Sequence, residues 1–491
     1  MNKTEMLKRI DDVINEGPFK DNWESLCNYK PPKWYADAKF GIFVHWGVYS
    51  VPGFGNEWYA RHMYVEGTDE YKHHLETYGP HKDFGYKDFI PQFKGEKFNP
   101  DEWMDLVKEA GARYFLPVAE HHDGFAMYDC SFSKWNSVKM GPCRDAVGEL
   151  REAAVKRDIV FGASYHRAEH CWYFNGGLKY ECDVIDPQYE DFYGKQMGGG
   201  ADEQHNGNSI LPPPPEHCED WLLRTCEMVE KYRPQAIYFD WWIHFNGWKP
   251  YVKKFAAWYY NMAKKWGVEV AINYKYNSFA YGAAMYDLER GQPTNLRPIL
   301  WQTCTPAAHS SWGYVKKNIF KDPVTIVGNL VDIVSKNGVL LLNIGPKPDG
   351  TITDEDRKIL LSIGDWLKKN GEGIYETTYW DQFGEGPTQI VEGTFKDSER
   401  KSFTSEDFRF TWKNGTLYAF VMKYPPSGKI VIPSLKEIKS GETRYNFDIE
   451  SIRVLGYPNK VTFNNDETGL CLTVEGEIKT EYPVGFAIKI D

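Results

Sequence analysis

Tyr114-Phe-Leu-Pro-Val-Ala-Glu-His-His-Asp-Gly-Phe125 is the stretch on which the fold turns. Residues 114–119 are apolar without alternation and few in number, the pattern of a strand covered on both faces. The run breaks at Glu120, His121, His122 and Asp123. Polar groups therefore begin where the strand ends, and in parallel α/β sheets, open or closed, that is the ligand-binding end. Two imidazoles, a carboxylate, a glycine and an aromatic offer hydrogen bonds to several hydroxyls and a flat face to an apolar edge. That set suits a sugar.

Outward from this strand, similar short runs lie at 40–45, 160–165, 236–239, 268–273 and 339–343. Amphipathic helices separate some of them. Asn99 caps one helix, Pro100 takes its first position, and Trp103, Leu106, Val107 and Ala110 form its apolar face before Gly111. Near the end of this region Thr353 caps a second, whose early acids Asp354, Glu355 and Asp356 suit a helix N-terminus. Repeated strand–helix units predict an α/β fold, either a doubly wound sheet or a barrel. Polar residues at the ends of many strands, from His45 to Asp240, favour a (β/α)8-like, TIM-type barrel over 31–376. Residues 1–30 read as a helical lead. From 377 to 491 short, turn-bounded strands replace the helices, with Asn414-Gly415 as a hairpin signal, and predict a β-sandwich. The stretch from Gly198 to Pro215 reads as a long loop over the sheet.

At 491 residues two domains are expected, and aromatic residues make up 16%, above the ordinary for a globular chain. A net charge of −11 argues against nucleic acid or an anionic membrane as partner. No stretch is apolar for the roughly 18 residues of a spanning helix, and no signal-peptide core follows Met1. Nine cysteines without C-x-x-C spacing read as free thiols, so a cytoplasmic location is expected if the chain is complete, and a secreted or periplasmic one if a leader was removed. The sequence leaves self-association open.

Ile237-Tyr-Phe-Asp240-Trp-Trp-Ile243 ends a strand in a carboxylate collared by aromatics, where a covalent nucleophile would stand. Capping of the next helix is the plainer use of such an aspartate. A glycosidase needs a second carboxyl, and Asp287 and Glu289 in Met285-Tyr-Asp-Leu-Glu-Arg-Gly291 are candidates, with Gly291 suggesting a tight, exposed loop. His45, His121, His122 and His166 all fall at strand tips. Their spacing matches neither H-x-H nor H-E-x-x-H, and adjacent histidines rarely chelate one ion, so no metal and no cofactor is expected.

Taken together, the motifs resemble the α-L-fucosidases of glycoside hydrolase family 29. The matching pieces run in order: Trp34-Tyr-x-x-Ala38-Lys-Phe-Gly-Ile-Phe-Val-His-Trp-Gly47, Asn56-Glu-Trp-Tyr59, His121-His-Asp-Gly-Phe125, Asp129-Cys-Ser-Phe-Ser-Lys-Trp-Asn136, Tyr238-Phe-Asp240, Ser311-Trp-Gly-Tyr314, Asn337-Gly-x-Leu340-Leu-Leu-Asn-Ile-Gly-Pro346 and Asp365-Trp-Leu…Asn370-Gly-Glu-Gly-Ile-Tyr375. The resemblance implies a retaining exo-glycosidase with a (β/α) barrel and a C-terminal β-sandwich, acting on terminal α-L-fucosyl residues of oligosaccharides or glycoconjugates. Asp240 matches the nucleophile, and Glu289 falls where the acid/base often stands. His45, Glu57, Trp58, His121 and His122 match sugar-binding positions. Tyr165 or His166 falls where the family places a tyrosine, and Trp312 lies in the Ser-Trp-Gly-Tyr piece. Three positions depart from the family: Trp241 replaces a small residue, Lys275 stands where an arginine is common, and Gln302 follows Trp301 where a glutamate is frequent. A fucose-binding protein without activity, or a glycosidase for a related sugar such as α-L-galactose, are the alternatives.

Overall fold

A computed structural model describes residues 3–197, 212–399, 401–436 and 448–491. Most of the loop expected at 198–215 lies outside them. Eight parallel strands close into a barrel: β1 Phe40–Val44, β2 Tyr114–Glu120, β3 Val160–Tyr165, β4 Ala236–Phe239, β5 Ala271–Tyr274, β6 Met285–Asp287, β7 Trp301–Pro306 and β8 Gly338–Ile344. Closure runs through β1 and β8, which pair in parallel from Phe40↔Leu340 to Val44↔Ile344. Every residue of β1, β2 and β8 is buried, as strands covered by helices outside and side chains inside must be. The barrel, not the doubly wound sheet, is the fold. Between β2 and β3 the register shifts from Val118 to Glu120, a bulge that re-aims the histidine-bearing tip.

Two of these strands carry no apolar run. Met285–Asp287 has three residues, and Trp301–Pro306 is mostly polar. Their polar side chains face one another inside the barrel: Gln302 Nε2 donates to Asp287 Oδ1 at 2.7 Å, and the Tyr35 and Tyr114 hydroxyls meet Gln302 Oε1. Internal hydrogen bonds here replace the hydrophobic contacts that ordinarily mark a buried strand.

The helical lead is present as Lys3–Glu16, which buries Met6, Ile10, Val13 and Ile14. Asn261, on the helix Lys249–Trp266, donates to Val13 O at 3.3 Å and to Phe19 O at 2.8 Å, docking the lead on the barrel. The expected caps hold: Asn99 accepts from Glu102 N, and Thr353 from Asp356 N. No described helix is long and apolar enough to cross a membrane.

Beyond the barrel lie β9 Thr378–Glu385, β10 Phe408–Lys413, β11 Thr416–Val421, β12 Lys429–Ile432, β13 Ile449–Val454, β14 Val461–Asp466, β15 Gly469–Val474 and β16 Val484–Ile490. They form a five-stranded antiparallel sheet, β13-β16-β11-β10-β9, and a three-stranded one, β12-β15-β14, around a shared core that includes Phe410, Ile432, Leu472 and Ile488. A buried ionic cluster joins this sandwich to the barrel. Asp332, on the helix Pro323–Ser335, pairs with Lys336 at 2.8 Å and with Arg409 of β10, and all three are nearly solvent-free. Asp332→Ala would remove a carboxylate that two buried cations share. A loss of about 3–5 kcal/mol is expected from breaking such a pair on one side, read as a lower urea midpoint. An unchanged midpoint would show that the cluster contributes nothing.

Candidate active site

Side chains two apart on a strand share a face, so the barrel interior fills in layers. One layer holds Phe43, Ser164, Tyr238, Asn273 and Asp287. One step nearer the strand tips come His45, His166, Asp240, Lys275 and Glu289, and these five line the floor of a cavity of about 920 Å³. His121, His122, Glu57, Trp58 and Trp312 line the same cavity. Of the residues that match the family's site positions, every one but Tyr165 is therefore brought together.

The exception is Tyr165. Ser164 and His166 point inward, so the residue between them points outward, and its hydroxyl donates to Glu120 Oε2 at 3.0 Å. The choice left open between Tyr165 and His166 thus falls to His166. Asp287 is also displaced from the reaction space: it lies a layer below Glu289, accepting from Gln302, Cys304 and Tyr238. The stretch around Glu289 is not the exposed loop expected. Its backbone continues the β6 ladder, with Leu288 N and Arg290 N donating to Gln302 O and Cys304 O at 2.8 Å, and Glu289 is buried. Nor do the carboxylates beside the His–His pair face a ligand. Glu120 is tied to Arg167 at 2.7 Å, and Asp123 accepts from the Tyr86 hydroxyl at 2.6 Å.

Lys275 is the centre of the floor. Its Nζ lies 2.5 Å from Asp240 Oδ1 and 2.6 Å from Glu289 Oε2. Asp240 Oδ2 accepts from His166 Nδ1 at 2.9 Å and lies 3.5 Å from His122 Nε2, while its Oδ1 also accepts from Trp241 N at 2.8 Å. Burial alone would raise the Asp240 carboxyl. The Lys275 charge and the His166 hydrogen bond outweigh it and hold the group well below the usual carboxylate range. Glu289 moves the other way. Burial, opposed by Lys275 and reinforced by the Asp240 charge, pushes it up to about 7. One cation thus serves two carboxyls whose pKa values are pushed apart, the separation that distinguishes an ionised nucleophile from a proton donor.

His45 and His122 are fixed by their outer nitrogens. Asn343 Nδ2 donates to Trp312 O at 2.7 Å, which turns its Oδ1 to accept from His45 Nδ1 at 2.6 Å. His122 Nδ1 donates to His166 O at 2.9 Å. Burial lowers the pKa of His45 and His121 well below the usual value and that of His122 to about 3. All three are neutral at pH 7, each with one donor and one acceptor nitrogen, as hydroxyl ligands require. The Trp58 ring meets His122 edge-on at 5.3 Å. Glu57 Oε2 accepts from Trp312 N at 2.9 Å and Ser311 Oγ at 3.1 Å, linking the loop after β1 to that after β7. Metal-ligating atoms of His45, His121 and His166 lie within 4.8 Å of one another, as do those of His122, His166 and Asp240, so these residues could hold an ion. Both His166 nitrogens have hydrogen-bond partners in Asp240 and Ser164.

Asn343, Tyr276 and Phe395 were not anticipated. Asn343 carries a signal, an amide closing the apolar run of β8. Phe395 carries none, because it lies beyond the barrel in sequence yet lines the cavity.

A family model described as Alpha-L-fucosidase matches residues 7–372, and one described as Alpha-L-fucosidase C-terminal domain matches 400–491. The chain is 33% identical over 427 residues to the tissue alpha-L-fucosidase of Rattus norvegicus, covering 85% of this chain and 82% of that one. It is 30% identical to the tissue alpha-L-fucosidase of Homo sapiens, covering 96% and 90%. Among solved structures it resembles a Thermotoga maritima alpha-fucosidase in complex with fucose, at 28% identity and TM-score 0.74, covering 96% of this chain and all of that one. The same Thermotoga protein in complex with a mechanism-based inhibitor gives TM-score 0.75.

Proposed function

This chain belongs to the alpha-L-fucosidase family, and from that premise we propose that it hydrolyses terminal α-L-fucosyl residues of glycans with retention, using Asp240 as nucleophile and Glu289 as acid/base. The observation that carries the assignment is the single ammonium, Lys275, within 2.6 Å of both carboxyls. Oxygens so held lie no more than about 5 Å apart, the close spacing of retaining rather than inverting glycosidases.

In the first step an Asp240 oxygen bonds to C1 as the bond from C1 to the leaving oxygen breaks. Glu289 gives that oxygen its proton. Since Glu289 Oε2 accepts from Lys275, Oε1 is the atom that carries it. The β-fucosyl ester on Asp240 is then opened by water, which loses a proton to Glu289, and both carboxyls return to their starting states. The neutral His45, His121 and His122 bind the sugar hydroxyls, and Trp58, Phe43 and Trp312 meet the C5 methyl. One methyl contact discriminates by only about 1–3 kcal/mol, so hydroxyl geometry sets most of the specificity.

Side-by-side assay of aryl α-L-fucoside and aryl α-L-galactoside tests this reading. The fucoside is expected to be the far better substrate, with α-fucose as the first product by NMR. A preference for the galactoside, or β-fucose first, would overturn it.

Lys275→Met removes the charge that lowers both carboxyls. Both pKa values then rise, so the two limbs of the kcat/KM profile move to higher pH. The acid limb should shift by about 1–3 pH units, as expected for loss of an adjacent opposite charge. A profile that stays in place would remove Lys275 from the account.

A further inference from the structure

The barrel does not complete its own active site. After β9 the chain turns back to the loop that carries Glu289. Phe395 N donates to Glu289 O at 3.0 Å, Lys396 N to Arg290 O at 2.9 Å and Asp397 N to Arg290 O at 3.0 Å, and Gln292 forms an antiparallel bridge with Gly393. Asp397 seals the junction. Its carboxylate meets Lys321 Nζ at 2.7 Å, Thr305 Oγ1 at 2.9 Å and Arg290 Nε at 3.2 Å. Gly291 is explained by the same contact: a Cβ there would lie 1.8 Å from Gly393 O.

The cavity mouth carries a second signal. Tyr276, Arg290 and Phe395, which line it, all hold positive φ, at 52°, 48° and 56°. Bulky residues enter this region only at a cost, and such strain gathers at functional sites. Tyr276 directly follows Lys275, and Arg290 directly follows Glu289. Phe395 is 50% exposed and Tyr276 44%, although both line the cavity. Trp241 lies beside Tyr276, with ring centroids 6.4 Å apart.

The leaving oxygen must sit against Glu289, so whatever it is attached to emerges beside the residue whose amide is bonded to Glu289. That residue is Phe395. We propose that segment 393–397 is a working part of the active site, in which Phe395, with Tyr276 and Trp241, forms the subsite for a pyranose ring carrying the fucose, received on its C–H face, and Asp397 positions the acid/base loop. This rests on Glu289 being the acid/base.

The test compares α-L-fucosyl fluoride, whose leaving group has no ring, with a fucosyl-hexose disaccharide. Phe395→Ala should lower kcat/KM for the disaccharide about tenfold relative to the fluoride, the scale of one apolar contact. Phe395→Trp should restore the ratio. Asp397→Asn should steepen the dependence of kcat on leaving-group pKa across aryl fucosides, because a displaced acid matters most where protonation is needed most. A general loss of folded enzyme would lower all substrates alike. Equal losses on fluoride and disaccharide in Phe395→Ala, or an unaltered leaving-group slope in Asp397→Asn, would overturn the proposal. Wild-type enzyme inert toward the fluoride would instead overturn the fucosidase reading itself.

Discussion

Replacing Asp240 with alanine is expected to lower kcat by more than about 10⁴-fold, the scale of removing a covalent nucleophile. The side chain has no local substitute. Asp287 lies a layer deeper, engaged by Gln302, Cys304 and Tyr238, and burial with the Asp240 charge pushes Glu289 up to about 7. The truncation also opens space on the floor beside Lys275 and His166, which remain as hydrogen-bond donors for a small anion. Azide should therefore restore turnover of an activated aryl fucoside and yield β-L-fucosyl azide, the inverted product, because the anion attacks from the face that Asp240 occupied. Near-normal turnover without azide would remove Asp240 from the reaction.

Glu289→Ala should produce the second largest loss, about 10²–10⁴-fold in kcat for substrates with poor leaving groups, as for removal of a general acid. Dinitrophenyl fucoside, which leaves without a proton, should be much less affected in its first step, and azide should now give α-L-fucosyl azide, with retention. The pH profile tests the same residue. In the wild-type enzyme Glu289 is held at about 7 by burial and the Asp240 charge against the pull of Lys275. Activity is therefore present while Glu289 is protonated and falls as pH rises through about 7. The acid limb, set by Asp240, lies well below the ordinary carboxylate range. In the alanine variant the alkaline fall should vanish. If it persists, another group carries the proton.

Six of the eight barrel strands are legible as apolar runs because helices cover their outer faces and their inner faces pack against apolar neighbours. The two that are not, β6 and β7, pair their interior through Gln302 and Asp287, and a hydrogen-bonded interior carries no hydrophobic signature. In the sandwich, β14 carries no apolar signature for a related reason: none of its residues is buried, so nothing in Val461–Asp466 marks a core face. Among the site residues, Asp240 and the histidines are legible because each ends an apolar run. Glu289 is found by its place relative to a motif, but its burial is not, since Gly291 suggests a solvated turn until the backbone of Gly393 is seen against it. Tyr165 shows what strand alternation adds. A sequence motif locates a strand end to within a residue, and only the inward direction of Ser164 and His166 decides which of two neighbours reaches the sugar.

The departures at Trp241, Lys275 and Gln302 acquire physical roles in the structure. Trp241 donates its backbone N–H to Asp240 and stands at the cavity rim. Lys275 delivers a point charge to two carboxyls at once, with no need of the planar fork an arginine would bring. Gln302 donates to Asp287 at 2.7 Å and accepts from the Tyr35 and Tyr114 hydroxyls, filling the barrel interior below the cavity floor.

Trapping the intermediate tests the central claim most directly. Enzyme treated with 2-deoxy-2-fluoro-α-L-fucosyl fluoride, digested and read by mass spectrometry, should carry one fluorofucosyl group on the peptide that contains Asp240, esterified to that carboxylate. A label on Glu289 or Asp287 instead, or hydrolysis that proceeds with no sugar ever bonded to the protein, would contradict it.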